Sequence, residues 1–176
     1  MRVNRNSKPN FLPFTLTAAI IAVDQMTKAL IVEHIRPYTV GLSIGGGLLR
    51  IIQARNHGIA FSVGGGLPGE LRAIFFAALP IAVLALLVVY YFRTRELSGL
   101  QRWAIAGILG GGVGNLIDRL FRPNGVVDFI DVRFFGIFGL ERWPTFNVAD
   151  SSVVVCGILL FVAFFIDGRR KHEQEG

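Results

Sequence analysis

The sequence predicts an all-α membrane protein, four transmembrane helices in one bundle carrying a small extracytoplasmic β element. Hydrophobic residues make up 52% of the chain and charged residues only 17%, more apolar than an ordinary soluble core requires. Four segments, 11–32, 73–92, 103–121 and 151–166, approach the ~20 residues that a helix needs to cross ~30 Å of hydrocarbon. Basic residues cluster before the first segment, between the second and third, and after the fourth, so one orientation accounts for all three clusters.

The first span, 11–32, follows Arg2, Arg5 and Lys8 and begins like an export signal. It runs on through Asp24-Gln25-Met26-Thr27-Lys28 with no small-x-small cleavage site, and so reads as a retained span. The connection 33–72 faces outward. Within it, LLRIIQARNHGIAFSV (48–63) is rich in β-branched and apolar residues and lies between the glycine triplets 45–47 and 64–66, a pattern of short strands and turns. The second span, 73–92, is free of charge, and Arg93, Arg95 and Arg102 follow on the cytoplasmic side. The third, 103–121, carries small-xxx-small spacing at Gly107 with Gly111 and at Gly110 with Gly114, which suits close helix packing. The outward connection 122–150 includes GVVDFIDVRFF (125–135), which reads as strand. The fourth span, 151–166, is short and needs flanking residues or a locally thinned bilayer, and Arg169, Arg170 and Lys171 follow it. Both termini are therefore expected to be cytoplasmic, and residues 1–176 to form a single integral membrane domain.

Several functions fall away on composition. The net charge of +6 follows from the orientation bias and anionic lipid, so no nucleic-acid partner is inferred. A single cysteine, Cys156, excludes an internal disulfide and reads as a small buried thiol. No HExxH or paired-cysteine spacing calls for a metal. Gly41-Leu42-Ser43-Ile44-Gly45 matches a nucleophile-elbow pattern, but no histidine is well placed to serve it, and the match reads as chance.

The acids are more informative. At 1.5 Å per residue, Asp24 lies ~20 Å along its span and Asp118 ~22 Å along the third, while Asp150 stands just before the fourth. Three acids from three segments thus converge near the outer boundary, where intramembrane acids mark a functional site by default. Each also has a structural reading. Asp24 and Lys28 suit an intrahelical i, i+4 pair. Asn115, Asp118 and Arg119 share one helix face and suit an anchor between helix end and outward loop. Asp150 before Ser151 and Ser152 suits an N-cap of the fourth helix, and spacing alone favours that role. Asp128 and Asp131, three apart, point to opposite strand faces, one of them open to solvent.

Five stretches together resemble the successive motifs of the lipoprotein signal peptidases, signal peptidase II: Asp24-Gln-x-x-Lys28, Asn56-His-Gly-Ile-Ala-Phe-Ser62, Gly114-Asn-Leu-Ile-Asp-Arg119, Val126-Val-Asp-Phe129 and Phe146-Asn-Val-Ala-Asp-Ser151. They occur in order over nearly the whole chain. The resemblance implies an intramembrane aspartyl endopeptidase of the bacterial cytoplasmic (inner) membrane. It would cut diacylglyceryl-modified prolipoproteins before the lipidated cysteine, with its active site at the outer face. The implied catalytic pair is Asp128 and Asp150. Asn56, Gly58, Asn115, Asp118, Arg119 and Asn147 match positions that support site or substrate, and Asp24 and Lys28 match structural positions. His57 departs mildly from the familiar pattern, and the insert Arg133 to Pro144 bears on substrate access. The expected partners are the prolipoprotein and membrane lipid, with no metal or other cofactor and a monomer as the working form.

Physical chemistry agrees with this transfer. Two carboxylates held close cannot readily both ionise, so one proton is shared and the titration belongs to the pair. The ionised member can activate water while the protonated one polarises the scissile carbonyl. Two rivals remain at this stage: a small proton-coupled transporter, against which stands the absence of an inverted repeat, and a non-catalytic membrane assembly factor using the glycine-rich third span.

Overall fold

The computed structural model describes residues 10–56 and 69–175. Its elements, in order, are α1 (Phe14–His34), β1 (Val40–Ile44), β2 (Leu49–Asn56), α2 (Gly69–Arg93), α3 (Gly99–Phe121), β3 (Val126–Ile137), β4 (Leu140–Arg142) and α4 (Val148–Glu175). α1, α3 and α4 pack on one another, and α2 packs on α3. Among the described residues, three helices are long and apolar enough to cross a membrane: Phe14–His34, Gly99–Phe121 and Val148–Arg169. The apolar stretch described in α2, Ala77–Arg93, is shorter.

The burial pattern inverts that of a soluble helix. In α1 the fully buried side chains include Asp24 and Lys28, both at 0% exposure, whereas Met26 is 65% exposed. Apolar side chains turned outward around a polar interior suit a hydrocarbon solvent, in which polar groups must be satisfied inside the protein.

The third helix is the hub because its glycines let neighbours come close. A methyl group on Gly107 would run into the Cys156 Sγ of α4, and one on Gly111 into the Ala149 carbonyl. On the α1 side, Gly110 faces Ile20 and the Thr17 carbonyl, and Gly114 faces the Asp24 carboxylate. The two small-xxx-small pairs therefore serve two of the third helix's partners, α4 and α1, as the spacing anticipates, and Cys156 is the buried thiol expected there. Hydroxyls reinforce the contacts: Thr17 donates to the Ala106 carbonyl at 2.7 Å and Ser152 to the Gly107 carbonyl at 2.9 Å.

Helix limits differ from the predicted spans in instructive ways. α3 starts at Gly99 because Ser98 and Gln101 form a reciprocal capping box. The fourth helix is not short: it begins at Val148 and runs to Glu175, so no thinning is needed to span with it.

The strands form one four-stranded antiparallel arrangement, ordered β1-β2-β3-β4. It lies at the end of the bundle where α1 and α3 finish and α4 starts. β2 and β3 are the strands read from the sequence, though β2 stops at Asn56, and residues 57–68, including the glycine triplet 64–66, lie outside the described residues. β1 and β4 are additions. The Gly41 to Gly45 stretch belongs to the β1–β2 hairpin, not to a strand-turn-helix, and Gly45, Gly46 and Gly47 turn it with φ of +61°, +63° and +90°. The insert before the last motif is the β3–β4 hairpin.

Candidate active site

Asp128 is placed by the sheet. Its strand residue pairs with Ala54 of β2, and Asn56, two residues further, lies diagonally on the same face and donates Nδ2 to Asp128 Oδ2 at 3.1 Å. The Phe146 carbonyl accepts from the backbone N–H groups of Phe129 and Ile130, at 3.0 and 2.8 Å, which ties the start of α4 beside β3. Asn147 therefore stands next to Asp128 and donates Nδ2 to its Oδ1 at 2.8 Å.

Asn147 also begins the fourth helix. Its Oδ1 accepts from the backbone N–H of Asp150 at 2.8 Å, and Asp150 Oδ2 accepts from the backbone N–H of Asn147 at 3.2 Å. This reciprocal exchange is a capping box with Asn147 as cap and Asp150 three residues on. The expectation that Asp150 is the N-cap is thus corrected: it lies in the first turn, and its Oδ1 accepts from Asn115 Nδ2 at 2.7 Å. One asparagine joins both acids, donating to one and capping the helix that carries the other.

Beneath them lies an ion cluster. Lys28 Nζ contacts Asp24 Oδ2 at 2.8 Å, Asp118 Oδ2 at 2.9 Å and Asn115 Oδ1 at 3.0 Å, using its three protons on α1 and α3 together. The predicted Asp24–Lys28 pair forms and is one arm of a wider network. Asp24 Oδ1 accepts from the backbone N–H of Ala149 at 3.0 Å, satisfying another open donor at the start of α4. Asp118 Oδ2 accepts from the backbone N–H of Val127 at 3.2 Å and so holds the strand immediately before Asp128. All of these side chains are at most 8% exposed, and burial of charge at that level requires such pairing.

Two participants escaped the sequence reading. Gln25 donates to the Gly114 carbonyl and to Asp118 Oδ1, and Arg122 pairs with Asp118 Oδ1 at 3.0 Å. Gln25 lies inside the Asp24-Gln-x-x-Lys28 motif and was available to it, whereas Arg122 falls past the motif's end. Arg119, expected to share the anchor, joins none of these contacts: its Nε is buried without a hydrogen-bond partner among the described residues. Arg122, one helical turn beyond Asp118, fills that place. Gly58 and His57 lie outside the described residues.

Burial and the neighbouring Asp150 push the Asp128 carboxyl up from 3.8 to about 6, against the hydrogen bonds from Asn56 and Asn147. Asp131 behaves oppositely. Burial acts to raise it, but the guanidinium groups of Arg142 and Arg50 hold it below the usual carboxylate range. Arg50 Nη2 and Arg142 Nε reach its two oxygens at 2.7 and 2.5 Å. The two aspartates do turn to opposite faces, but Asp131 is only 3% exposed and is not the solvated residue expected. Among the described residues no group of acids, histidines and cysteine is placed to hold a metal ion.

A family model described as Signal peptidase (SPase) II matches residues 16–166. The chain belongs to the signal peptidase II family. It is a peptidase, and its apolar helices and family make it a bacterial membrane protein. The peptidase is 44% identical to the lipoprotein signal peptidase of Treponema pallidum (strain Nichols), over 99% of this chain and 91% of that one. It is 51% identical to that of Treponema denticola, over 93% and 94%. A bacterial membrane enzyme solved by the in meso method at 2.3 Å is similar with a TM-score of 0.76 and 29% identity, covering 91% of each chain. These similarities give no support to a transporter or an assembly factor. The peptidase's polar network also stays at one end of the bundle instead of tracing a path across it.

Proposed function

We propose that the peptidase removes the signal peptide from diacylglyceryl-modified prolipoproteins, cutting before the lipidated cysteine, with Asp128 and Asp150 as its catalytic pair. The observation that carries this reading is Asn147: its side-chain amide holds the Asp128 carboxylate while its carbonyl oxygen caps the helix turn bearing Asp150. The named relatives, lipoprotein signal peptidases at 44% and 51% identity, supply the substrate class.

Asp128 carries the shared proton, since burial and Asp150 lift its carboxyl to about 6. Asp150 accepts hydrogen bonds from Asn115 and the Asn147 backbone at a helix N-terminus and is assigned the ionised role. It takes a proton from water as the water oxygen bonds to the scissile carbonyl carbon, and Asp128 gives its proton to the carbonyl oxygen. Asp128 recovers that proton as the tetrahedral intermediate collapses, Asp150 protonates the departing amine, and the C–N bond breaks. Asn56, Asn115 and Asn147 orient the pair; Gly58 and Arg119 are assigned to the substrate side. Asp118 anchors the strand from below, and Asp24 with Lys28 holds α1 to α3 and α4.

The same reading gives α2 as a fourth span and the chain as one integral domain, with both termini cytoplasmic and the site at the outer face of the cytoplasmic membrane. That level suits a substrate whose signal peptide spans the bilayer while its lipidated cysteine sits at the outer surface. Working as a monomer in membrane lipid, the protein needs no cofactor. The test is cleavage of a diacylglyceryl-modified prolipoprotein by wild type, Asp128→Asn and Asp150→Asn, with folding checked by thermal unfolding. Loss of cleavage in both folded variants supports the pair; retained cleavage in either removes that residue from the mechanism.

A further inference from the structure

The sheet has two unlike faces. Residues directly opposite one another share a face, and the cross-strand rows run Leu42–Ile51–Ile130 and Ile44–Leu49–Val132 on one side, Ser43–Arg50–Asp131 on the other. By strand alternation Asp128 belongs to the apolar side, and its contact with Asn147 turns that side toward the start of α4. An apolar face turned toward the helices meets hydrocarbon wherever it runs past their flank, and Leu42 and Ile44 on it are half exposed.

The β3–β4 hairpin carries this further. The Arg133 N–H donates to the Leu48 carbonyl at 2.8 Å and Arg142 Nη1 to the Gly47 carbonyl at 3.0 Å, so the β1–β2 turn ends at the hairpin's foot and residues 134–141 extend beyond it. At the tip Phe138 is 91% exposed and Phe135 64%. The backbone sets these rings apart from a chance apolar patch. Among the described residues, three that are not glycine have a left-handed φ: Tyr38 at +59°, Phe135 at +56° and Phe138 at +52°. Bulky side chains rarely occupy that region, which Gly and Asn take readily, yet all three are exposed aromatics, Tyr38 at 72%. Phe138-Gly139 forms the two-residue loop between the paired Ile137 and Leu140, with φ positive at both positions, where Asn-Gly is the ordinary choice. Strained backbone that holds rings away from the protein calls for a reason outside the chain.

The bilayer supplies one. Aromatic rings settle at the boundary between membrane and water. The Arg133 guanidinium lies over the Phe135 ring at 5.2 Å, so the ring can sit among the first methylenes while the cation reaches a lipid phosphate. Glu141, the one acid in residues 133–143, follows Leu140 and is exposed, which keeps it with headgroups and water. We infer that the β3–β4 hairpin is a membrane anchor whose tip, Phe135 to Leu140, enters the leaflet beside the aspartate pair. Its open edge N–H and C=O groups exclude it from deeper hydrocarbon, so the rings rest where headgroups meet acyl chains.

The test is depth-dependent quenching of tryptophan fluorescence in the full chain, reconstituted into phosphatidylcholine bilayers. The sequence has two tryptophans, so Trp103→Phe, Trp143→Phe and Phe138→Trp together leave one reporter, at the tip. A nitroxide on the acyl chain near the headgroup is expected to quench it strongly, and a nitroxide near the terminal methyl or aqueous iodide only weakly. A second reporter is Trp143 itself, after Trp103→Phe, which meets Phe134 edge to face at 5.0 Å at the hairpin's foot. In that background Phe135→Asn with Phe138→Asn suits the left-handed backbone and should leave the unfolding midpoint in micelles at or above its value without them. Quenching of Trp143 by the shallow nitroxide should nevertheless be lost, and iodide should gain access. Free iodide access to the tip without lipid quenching overturns the inference. A tip shielded from iodide and nitroxide alike, and uncovered at one copy per nanodisc, overturns it in favour of a second copy of this chain. A tip shielded only after prolipoprotein is added overturns it in favour of the substrate. If the Asn pair lowers the midpoint, the tip reporter alone decides. Quenching is read without cleavage, so the outcome is independent of the proposed peptidase chemistry.

Discussion

Replacing Asp128 by Asn should stabilise the protein above pH 6 while abolishing cleavage. The carboxyl is lifted from 3.8 to about 6 by burial and by Asp150, so the fold favours its protonated form. About two units at 1.36 kcal/mol each correspond to ~3 kcal/mol of stability that is present below pH ~4 and lost as pH rises through ~6. An amide does not ionise, so it escapes this loss. It can keep the bond from Asn147, which reaches Oδ1 at 2.8 Å, but presents N–H to Asn56 where Oδ2 accepted at 3.1 Å. Losing that partly exposed bond costs about 1 kcal/mol. The net gain at pH 8 is ~2 kcal/mol, or roughly 4–8 °C in midpoint for a chain of this size. Unfolding of wild type and variant in the same micelle should be followed from pH 4 to pH 8. The variant should lie about 1 kcal/mol below wild type near pH 4, cross it between pH 4 and pH 6, and exceed it above pH 6. A variant that unfolds at or below the wild-type midpoint at pH 8, or a difference independent of pH, refutes a strained carboxylate at this position.

Other expectations follow from the same contacts. Lys28→Met leaves Asp24 buried without a cation and Asp118 with Arg122 alone, and should destabilise by about 3–5 kcal/mol, read as loss of folded protein after extraction. Asp118→Asn loosens the strand before Asp128 by weakening the hold on Lys28, Arg122 and the Val127 N–H; cleavage should fall about 10-fold to 100-fold with a lowered midpoint. Wild-type values for both would end its anchoring role. If Asp128 must carry the proton, kcat/KM should decline tenfold per unit as pH rises above ~6; a profile flat from pH 5 to pH 8 would contradict that assignment.

Three of the spans and the acids could be read from the chain because each follows a local rule. Hydrocarbon thickness sets the length of an apolar run, and an acid within such a run needs a reason. Glycine spacing on the third span likewise announced close packing, and Gly107, Gly110, Gly111 and Gly114 do face α4 and α1 alternately. What was hidden depends on chain return. Nothing in Asn147-Val-Ala-Asp150 says which residue caps the helix, because Asn and Asp are equally good caps. The answer comes from Phe146 pairing with Ile130, a contact between residues sixteen apart in sequence, which ends the extended segment before Asn147. Arg122 was overlooked for a related reason: it lies just past the apolar span, where a basic residue ordinarily signals only the membrane boundary. β1 and β4 escaped because each is short and finds its partner only through a turn, at glycines 45–47 and at Gly136 and Gly139.

Asn147 unites folding and the proposed chemistry, and a suitable substitution should separate them. Its Oδ1 caps the fourth helix through the Asp150 N–H, while its Nδ2 donates to Asp128 and to Asn115 Oδ1. Serine is as good a cap as asparagine but is too short to donate to Asp128. Asn147→Ser should therefore keep the helix start, and Asn115 Oδ1 keeps its bond from Lys28. Asp128, however, loses a donor that favours its ionised form, and the carboxyl is freed to turn. The expected outcome is a midpoint within a few degrees of wild type, kcat down about 100-fold, KM nearly unchanged and the pH limb displaced upward from ~6. Asn147→Ala gives up the cap as well and should lose about 1 kcal/mol more stability with no further loss of rate. If serine restored full cleavage, capping alone would account for Asn147. If serine and alanine were equally unstable, the cap would carry little weight and the donation to Asp128 would be what holds β3 against α4.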